Sequence, residues 1–131
     1  MAWEEFTRDL ASGINEASDP INLSGLEQQH LPSVSAPSIV EAGVPFDVSI
    51  RVGCPKCHPS GRAHHVDFVD LYADDRRLLR VQFTPGRSLP NFTCRLCLWR
   101  SVDTLRAYAQ CSLHGVWLGT REITVARELP H

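Results

Sequence analysis

The sequence predicts an all-β protein: a seven-stranded antiparallel sandwich of immunoglobulin type, preceded by a short helix and an arm. Three observations carry this reading. From about residue 37 onward the apolar residues alternate with polar ones, the signature of strands with one buried face. Turn-forming residues separate the alternating runs, at Glu41-Ala42-Gly43, Asp74-Asp75 and Pro85-Gly86. Seven short strands in the remaining part of a 131-residue chain match the spacing of a sandwich rather than of strands alternating with helices.

The elements follow in order. Trp3, Phe6, Leu10 and Ile14 are spaced by three and four, with Glu4, Glu5, Arg8 and Asp9 between them, which predicts a short amphipathic helix. Gly13 and Ser18-Asp19-Pro20 end it, and residues 17–36 read as an irregular arm. Residues 1–36 then form the helix and arm, and 37–131 the sandwich domain. Phe46, Val48, Ile50 and Val52 alternate with Asp47, Ser49 and Arg51 in the cleanest strand. Leu79, Val81 and Phe83 repeat the pattern, as do Leu105, Ala107, Ala109 and Cys111, and then Ile123 and Val125. The predicted strands are 37–43, 45–53, 65–73, 77–84, 91–98, 104–111 and 117–126.

Composition narrows the function classes. Hydrophobic residues make up 43% and charged residues 21%, which is globular rather than disordered. A net charge of -2 without basic runs argues against nucleic acid and anionic membranes as partners. No run approaches the roughly 18 apolar residues of a membrane span, and the charges among the first ten residues do not read as a signal peptide. The expected location is the cytoplasm, where thiols stay reduced, so the five cysteines read as metal or redox groups before disulfides.

The placement of the histidines matters more than their number. His30 lies in the arm before Leu31-Pro32, His58 precedes Pro59 in a loop, and His64 stands where the next strand begins. Cys111 and His114 frame a Cys-Ser-Leu-His-Gly turn at the end of another strand. Singly each signal is weak, since a histidine at a strand edge is more often solvated or hydrogen-bonded than a ligand. The Cys-x-x-His turn is stronger, because it can aim two side chains at one metal.

Together the motifs resemble those of the superoxide reductase family. His58-Pro59-Ser60-Gly61-Arg62-Ala63-His64 is similar to that family's His-Pro followed six residues on by a second His and a strand. Cys111-Ser112-Leu113-His114-Gly115-Val116-Trp117 resembles its Cys-Asn-x-His-Gly-x-Trp, and Leu26-Glu27-Gln28-Gln29-His30-Leu31-Pro32 resembles its Glu-Lys-His-x-Pro. The motifs fall in the family's order across about residues 20–126. The one-domain neelaredoxin form fits better than two-domain desulfoferrodoxin, because no cysteine precedes Cys54.

The resemblance implies a mononuclear Fe(II)/Fe(III) centre with His30, His58, His64 and His114 as equatorial ligands and the Cys111 thiolate axial. It implies one-electron reduction of superoxide to hydrogen peroxide at the open sixth position. It also implies a reduced donor, such as a rubredoxin-like protein, and assembly into a homo-oligomer, with Trp3 and Phe6 packing between subunits. The six-residue step favours His64 over His65, and the terminal His131 has no assigned role. Two departures stand out. Gln28 and Gln29 occupy the family's Glu and Lys positions, leaving Glu27 as the candidate sixth ligand and Arg62 as the candidate replacement cation.

Cys54-Pro-Lys-Cys57 and Cys94-Arg-Leu-Cys97 fall outside the family's usual site. Paired Cys-x-x-Cys units predict a second Zn or Fe bound by four thiolates. Pairing of strands 45–53 and 91–98 would help, although residues three apart on a strand face opposite sides and a bulge near Leu96 is needed. Disulfides and unrelated buried thiols remain open. Two other functions compete: a zinc-braced, non-catalytic immunoglobulin-like module, and an electron-transfer protein on a related sandwich.

Overall fold

The computed structural model describes residues 13–53 and 58–127. Among them are one helix and ten strands: β1 (Ile14–Asn15), α1 (Gly25–His30), β2 (Pro32–Ser35), β3 (Ile39–Glu41), β4 (Phe46–Val52), β5 (Val66–Ala73), β6 (Arg76–Gln82), β7 (Asn91–Leu96), β8 (Thr104–Cys111), β9 (Gly115–Glu122) and β10 (Thr124–Ala126). One sheet runs β1-β9-β8-β5-β6, a second runs β2-β4-β7, and β10 pairs with β3. No helix among the described residues is long and apolar enough to cross a membrane.

The core lies between the two larger sheets. Phe46, Val48, Ile50 and Val52 of β4 are buried while the residues between them are exposed, as their alternation requires. They meet Val69 and Leu71 of β5 and Leu105, Ala107 and Ala109 of β8. The second face of β5 is covered as well: Tyr72 packs edge-on against Tyr108 at 5.2 Å, and Asp70 receives Arg80 in a two-bond pair at 2.6 and 2.7 Å. That is why 66–73 lacks clean alternation in the sequence.

All seven expected strands are present, with two differences. The last expected strand is two: Ile123 is buried and donates its N–H to the Asp103 carbonyl, and Thr124 donates to the Ser38 carbonyl. The chain therefore leaves β9's sheet and joins β3. Two short ladders are parallel, β1 with β9 and β10 with β3, while the long ladders are antiparallel.

The expected irregular arm is ordered structure. β2 pairs with β4, from Pro32 opposite Val52 to Ser35 opposite Ser49, so the arm is built into the sandwich. A Cβ on Gly119 of β9 would collide with the Pro32 carbonyl, so only glycine lets β2 cross β9 this closely. Of the predicted N-terminal helix, Trp3, Phe6 and Leu10 lie outside the described residues. Ile14, its fourth apolar position, is in a strand.

Candidate metal centre

Each candidate ligand is aimed by a short local device. Helix α1 starts with a reciprocal cap, in which Ser24 Oγ accepts from the Glu27 N–H and the Glu27 carboxylate accepts from the Ser24 N–H. It ends at His30 because the residue before Pro32 is forced out of helical conformation, and Leu31 is extended, at φ -67° and ψ 128°. His30 occupies the last turn and donates from Nδ1 to the Leu26 carbonyl at 2.8 Å, which leaves the lone pair on Nε2. His58 does the same with the Pro59 carbonyl, at 2.7 Å.

Cys111 ends β8 and faces Gly115 at the start of β9. The three-residue turn between them, Ser112-Leu113-His114, closes on Gly115 at φ +80°, where a side chain would be strained. His64 lies just before β5. The β5–β8 ladder slips between Val66 and Phe68, beside Cys111, a bulge that turns the strand end toward the turn. Ser112 and His65 join the two loops: the His65 N–H donates to Ser112 Oγ at 3.0 Å, and the Ser112 N–H donates to the His65 carbonyl at 2.8 Å.

The four imidazoles close a ring. Successive centroids lie 4.8 Å (His30–His58), 4.5 Å (His58–His64), 5.0 Å (His64–His114) and 4.8 Å (His114–His30) apart, each pair close to perpendicular. Across the ring, His30 and His64 are nearly parallel at 5.6 Å. His30 Nε2 and His114 Nδ1 approach to 3.0 Å. The Cys111 Sγ sits 3.2 Å from His58 Nε2 and 3.8 Å from His114 Nδ1. The ligand atoms of His30, His58, His64 and Cys111 all lie within 4.8 Å of one another. Trp117 stacks on His30 at 4.9 Å and donates to the His114 carbonyl at 3.1 Å.

These donors fit a metal ion. His64 Nε2 is buried without a hydrogen-bond partner among the described residues, a costly state that a coordinated cation would relieve. Burial pushes the His58 imidazole down to about 4, and neighbouring imidazoles oppose its protonation as well. His30 and His64 are lowered for the same first cause. Those three rings are thus favoured in the neutral form, the form that binds metal. Three nitrogens and a thiolate suit iron or zinc rather than calcium or magnesium. Cys111 and His30 are buried and His114 is exposed, so one side of the ring is sealed and the other is open.

Other candidates sit elsewhere. His65 turns away, onto the Gly61 carbonyl at 3.0 Å and Asp67 at 2.8 Å. Glu27, the candidate sixth ligand, caps α1 in this structure: its carboxylate accepts from the Ser24 N–H and from both the N–H and Oγ of Ser18, which hold it below the usual carboxylate range. Arg62 is exposed. His131, Cys54 and Cys57 lie outside the described residues.

The β4–β7 ladder bears on the expected four-cysteine site. Arg51 does pair with Asn91, so the expected strand pairing is present, but Cys94 lies opposite Val48 and shows no bulge beside it. Gly53, which precedes Cys54, is then roughly 16 Å along β4 from Cys94's partner at about 3.3 Å per residue. Cys94 packs toward the core, with its thiol raised by burial, and Cys97 is exposed beyond the strand. Cys94 is thus a half-buried thiol against the core.

The sequence reading missed α1 and Asn15. A capping box, Ser24-x-x-Glu27, signals the helix. Asn15, whose side chain donates to the carbonyls of His114 and Val116 at 3.3 and 3.0 Å, carries no signature.

Fold and site together define a small β-sandwich with a histidine–cysteine metal centre at one end. Residues 22–120 match the Desulfoferrodoxin family. The chain belongs to that family. A candidate superoxide reductase of Methanocaldococcus jannaschii is 30% identical over 124 residues, 85% of this chain and 93% of its own. The superoxide reductase (neelaredoxin) from Ignicoccus hospitalis superposes with a TM-score of 0.70 at 34% identity, covering 83% of this chain and 89% of that one. The superoxide reductase from Giardia intestinalis gives 0.62 at 25% identity, covering 73% and 99%.

Proposed function

We propose that the chain is a superoxide reductase that converts superoxide to hydrogen peroxide at a mononuclear iron held by His30, His58, His64, His114 and Cys111. The observation that carries this reading is the ring of four imidazoles with the Cys111 sulfur against it and the His64 nitrogen unpartnered. When bound, iron supplies the single electron that the reduction needs.

The chain's own residues do the rest. Leu26 and Pro59 carbonyls fix the tautomers of His30 and His58, so their Nε2 lone pairs face the centre. Cys111 supplies a soft, electron-rich donor from the sealed side. His114 lies on the open side, where a small anion and water can arrive without a channel. Because neither Gln28 nor Gln29 carries charge, steering of that anion rests on more distant cations such as Arg62. Glu27 acts as a helix cap that seats His30.

The electron donor is in this reading a rubredoxin-like carrier, the assembly a homo-oligomer and the compartment the cytoplasm. A second Zn or Fe held by Cys54, Cys57, Cys94 and Cys97 is not needed for this reaction.

The test is metal content and visible spectrum after anaerobic loading with Fe(II), followed by stopped-flow mixing with superoxide. One iron per chain, a thiolate-to-ferric band on oxidation and superoxide consumption without oxygen release are expected. A protein that takes up only zinc and gains no band on oxidation would overturn the reading.

A further inference from the structure

Three of the four imidazoles differ from the fourth in how they are held. His30 and His58 are each fixed by a hydrogen bond from the ring nitrogen that faces away from the centre, and His64 is half-buried with its Nε2 enclosed. His114 is exposed, and among the described residues none bonds its Nε2. With no bond to its outer nitrogen, its ring is aimed from behind through its backbone, which lies in the three-residue turn between β8 and β9.

That backbone is gripped from two sides. Trp117 Nε1 donates to the His114 carbonyl from β9. The Asn15 amide donates to the same carbonyl and to that of Val116, so its two N–H groups span the turn and the first residues of β9. Asn15 is put there by the parallel pairing of β1 with β9, where Ile14 faces Val116 and Asn15 faces Trp117. A Cβ on Gly115 would stand 3.6 Å from the same amide nitrogen, so the side chain lies directly against the turn.

From this geometry we infer that Asn15 is a positioning residue for the metal centre, setting the direction of His114 Nδ1 through the His114 carbonyl. The inference rests on the metal-centre reading above. It also makes the arm before residue 22, which lies outside the family match, part of the site. A second hydrogen-bond shell of this kind orients the ligand, and its loss typically costs about 10- to 100-fold in metal affinity or activity.

Asn15→Asp has nearly the same shape but turns a carboxylate on two carbonyl oxygens. Asn15→Ala removes the donors while leaving the backbone pairing of β1 available. The experiment compares both with wild type by chelator competition for Fe(II), by the position of the thiolate-to-ferric band after oxidation, and by the melting temperature of the metal-free protein. The expected result is an Fe(II) affinity lowered about 10- to 100-fold in Asn15→Asp and less in Asn15→Ala, a shifted band in both, and a melting temperature nearly unchanged in Asn15→Ala. Wild-type affinity and an unmoved band in both variants overturn the inference while leaving the metal centre standing. Should Asn15→Asp not fold, Asn15→Ala decides by the same two readouts. A wild type without any thiolate band removes the metal-centre reading itself, and the inference falls with it.

Discussion

His58 Nε2 and Cys111 Sγ face each other at 3.2 Å, one from the loop before β5 and the other from the end of β8, 53 residues apart in sequence. The His58 ring already donates from Nδ1 to the Pro59 carbonyl, so the nitrogen facing sulfur is a lone pair. A lone pair and a buried sulfur held together are costly to keep without a proton or a metal between them. Replacing Cys111 by Ser should therefore keep the fold and abolish the thiolate-to-ferric band. Fe(II) affinity should fall by more than about tenfold, the low end of what losing a merely supporting group costs. Retention of the band in Cys111→Ser would show that another thiol is the ligand.

The metal-free protein should lose stability as pH falls. The folded pKa of His58 is about 4, lowered chiefly by burial, against about 6.5 for an exposed histidine. Above 6.5 both folded and unfolded states hold a neutral ring, and this contribution is complete. Between 6.5 and 4 only the unfolded state binds the proton, so unfolding gains with every step down, and below 4 the loss saturates. His58 alone accounts for up to about 3 kcal/mol, and His30 and His64 act in the same direction. Urea midpoints measured from pH 7.5 to 4 on apo-protein should fall over this window. A midpoint flat from 6.5 to 4.5 would contradict the buried neutral imidazoles.

Ser24→Ala removes the N-cap of a six-residue helix whose last residue is His30. The expected cost is about 1 kcal/mol of stability together with weaker iron binding. Glu27→Gln weakens the same cap, since its carboxylate serves Ser24 and Ser18. As a cap it should leave the spectrum of the oxidised iron protein unchanged apart from lower occupancy. A new ferric spectrum at full occupancy in Glu27→Gln would instead make Glu27 a ligand.

What could be read from the sequence followed physical periodicity. Phe46 to Val52 alternate because one face meets the core, and that pattern survives in any context. Tyr72 and Asp70 hid the matching pattern of β5, because both its faces are covered. The switch of sheet at Ile123 is invisible in a run that continues to alternate, since it is made by the carbonyls of Asp103 and Ser38. The ligand set was legible only as what the resemblance to the superoxide reductase family implies, with the Cys111–His114 spacing as the stronger of the local signals. Asn15 reaches His114 over 99 residues of sequence, a separation at which a single asparagine carries no pattern. The four-cysteine expectation depends on register, since two Cys-x-x-Cys units share a site only if their strands align them; Cys94 is set opposite Val48, and Cys54 and Cys57 lie outside the described residues.

Cys94→Ala tests that register. As a half-buried thiol against the core it should behave as a small hydrophobe, with a modest loss of stability and no change in metal per chain. Loss of one zinc or iron equivalent would establish a second site.

The last prediction concerns charge next to the ring. Position 29 directly precedes His30 and holds a neutral, half-buried glutamine. A cation there would sit within about one Debye length, roughly 10 Å at 0.1 M salt, of an anion approaching the ring. Attraction over that range raises the encounter rate and fades as salt rises. Gln29→Lys should therefore speed the second-order reaction with superoxide at low ionic strength and steepen its decline with salt, with Fe(II) affinity unchanged. An equal gain at low and high salt would point to a proton-delivery or structural effect. An unchanged rate and slope would mean that existing cations, Arg62 among them, already saturate the steering.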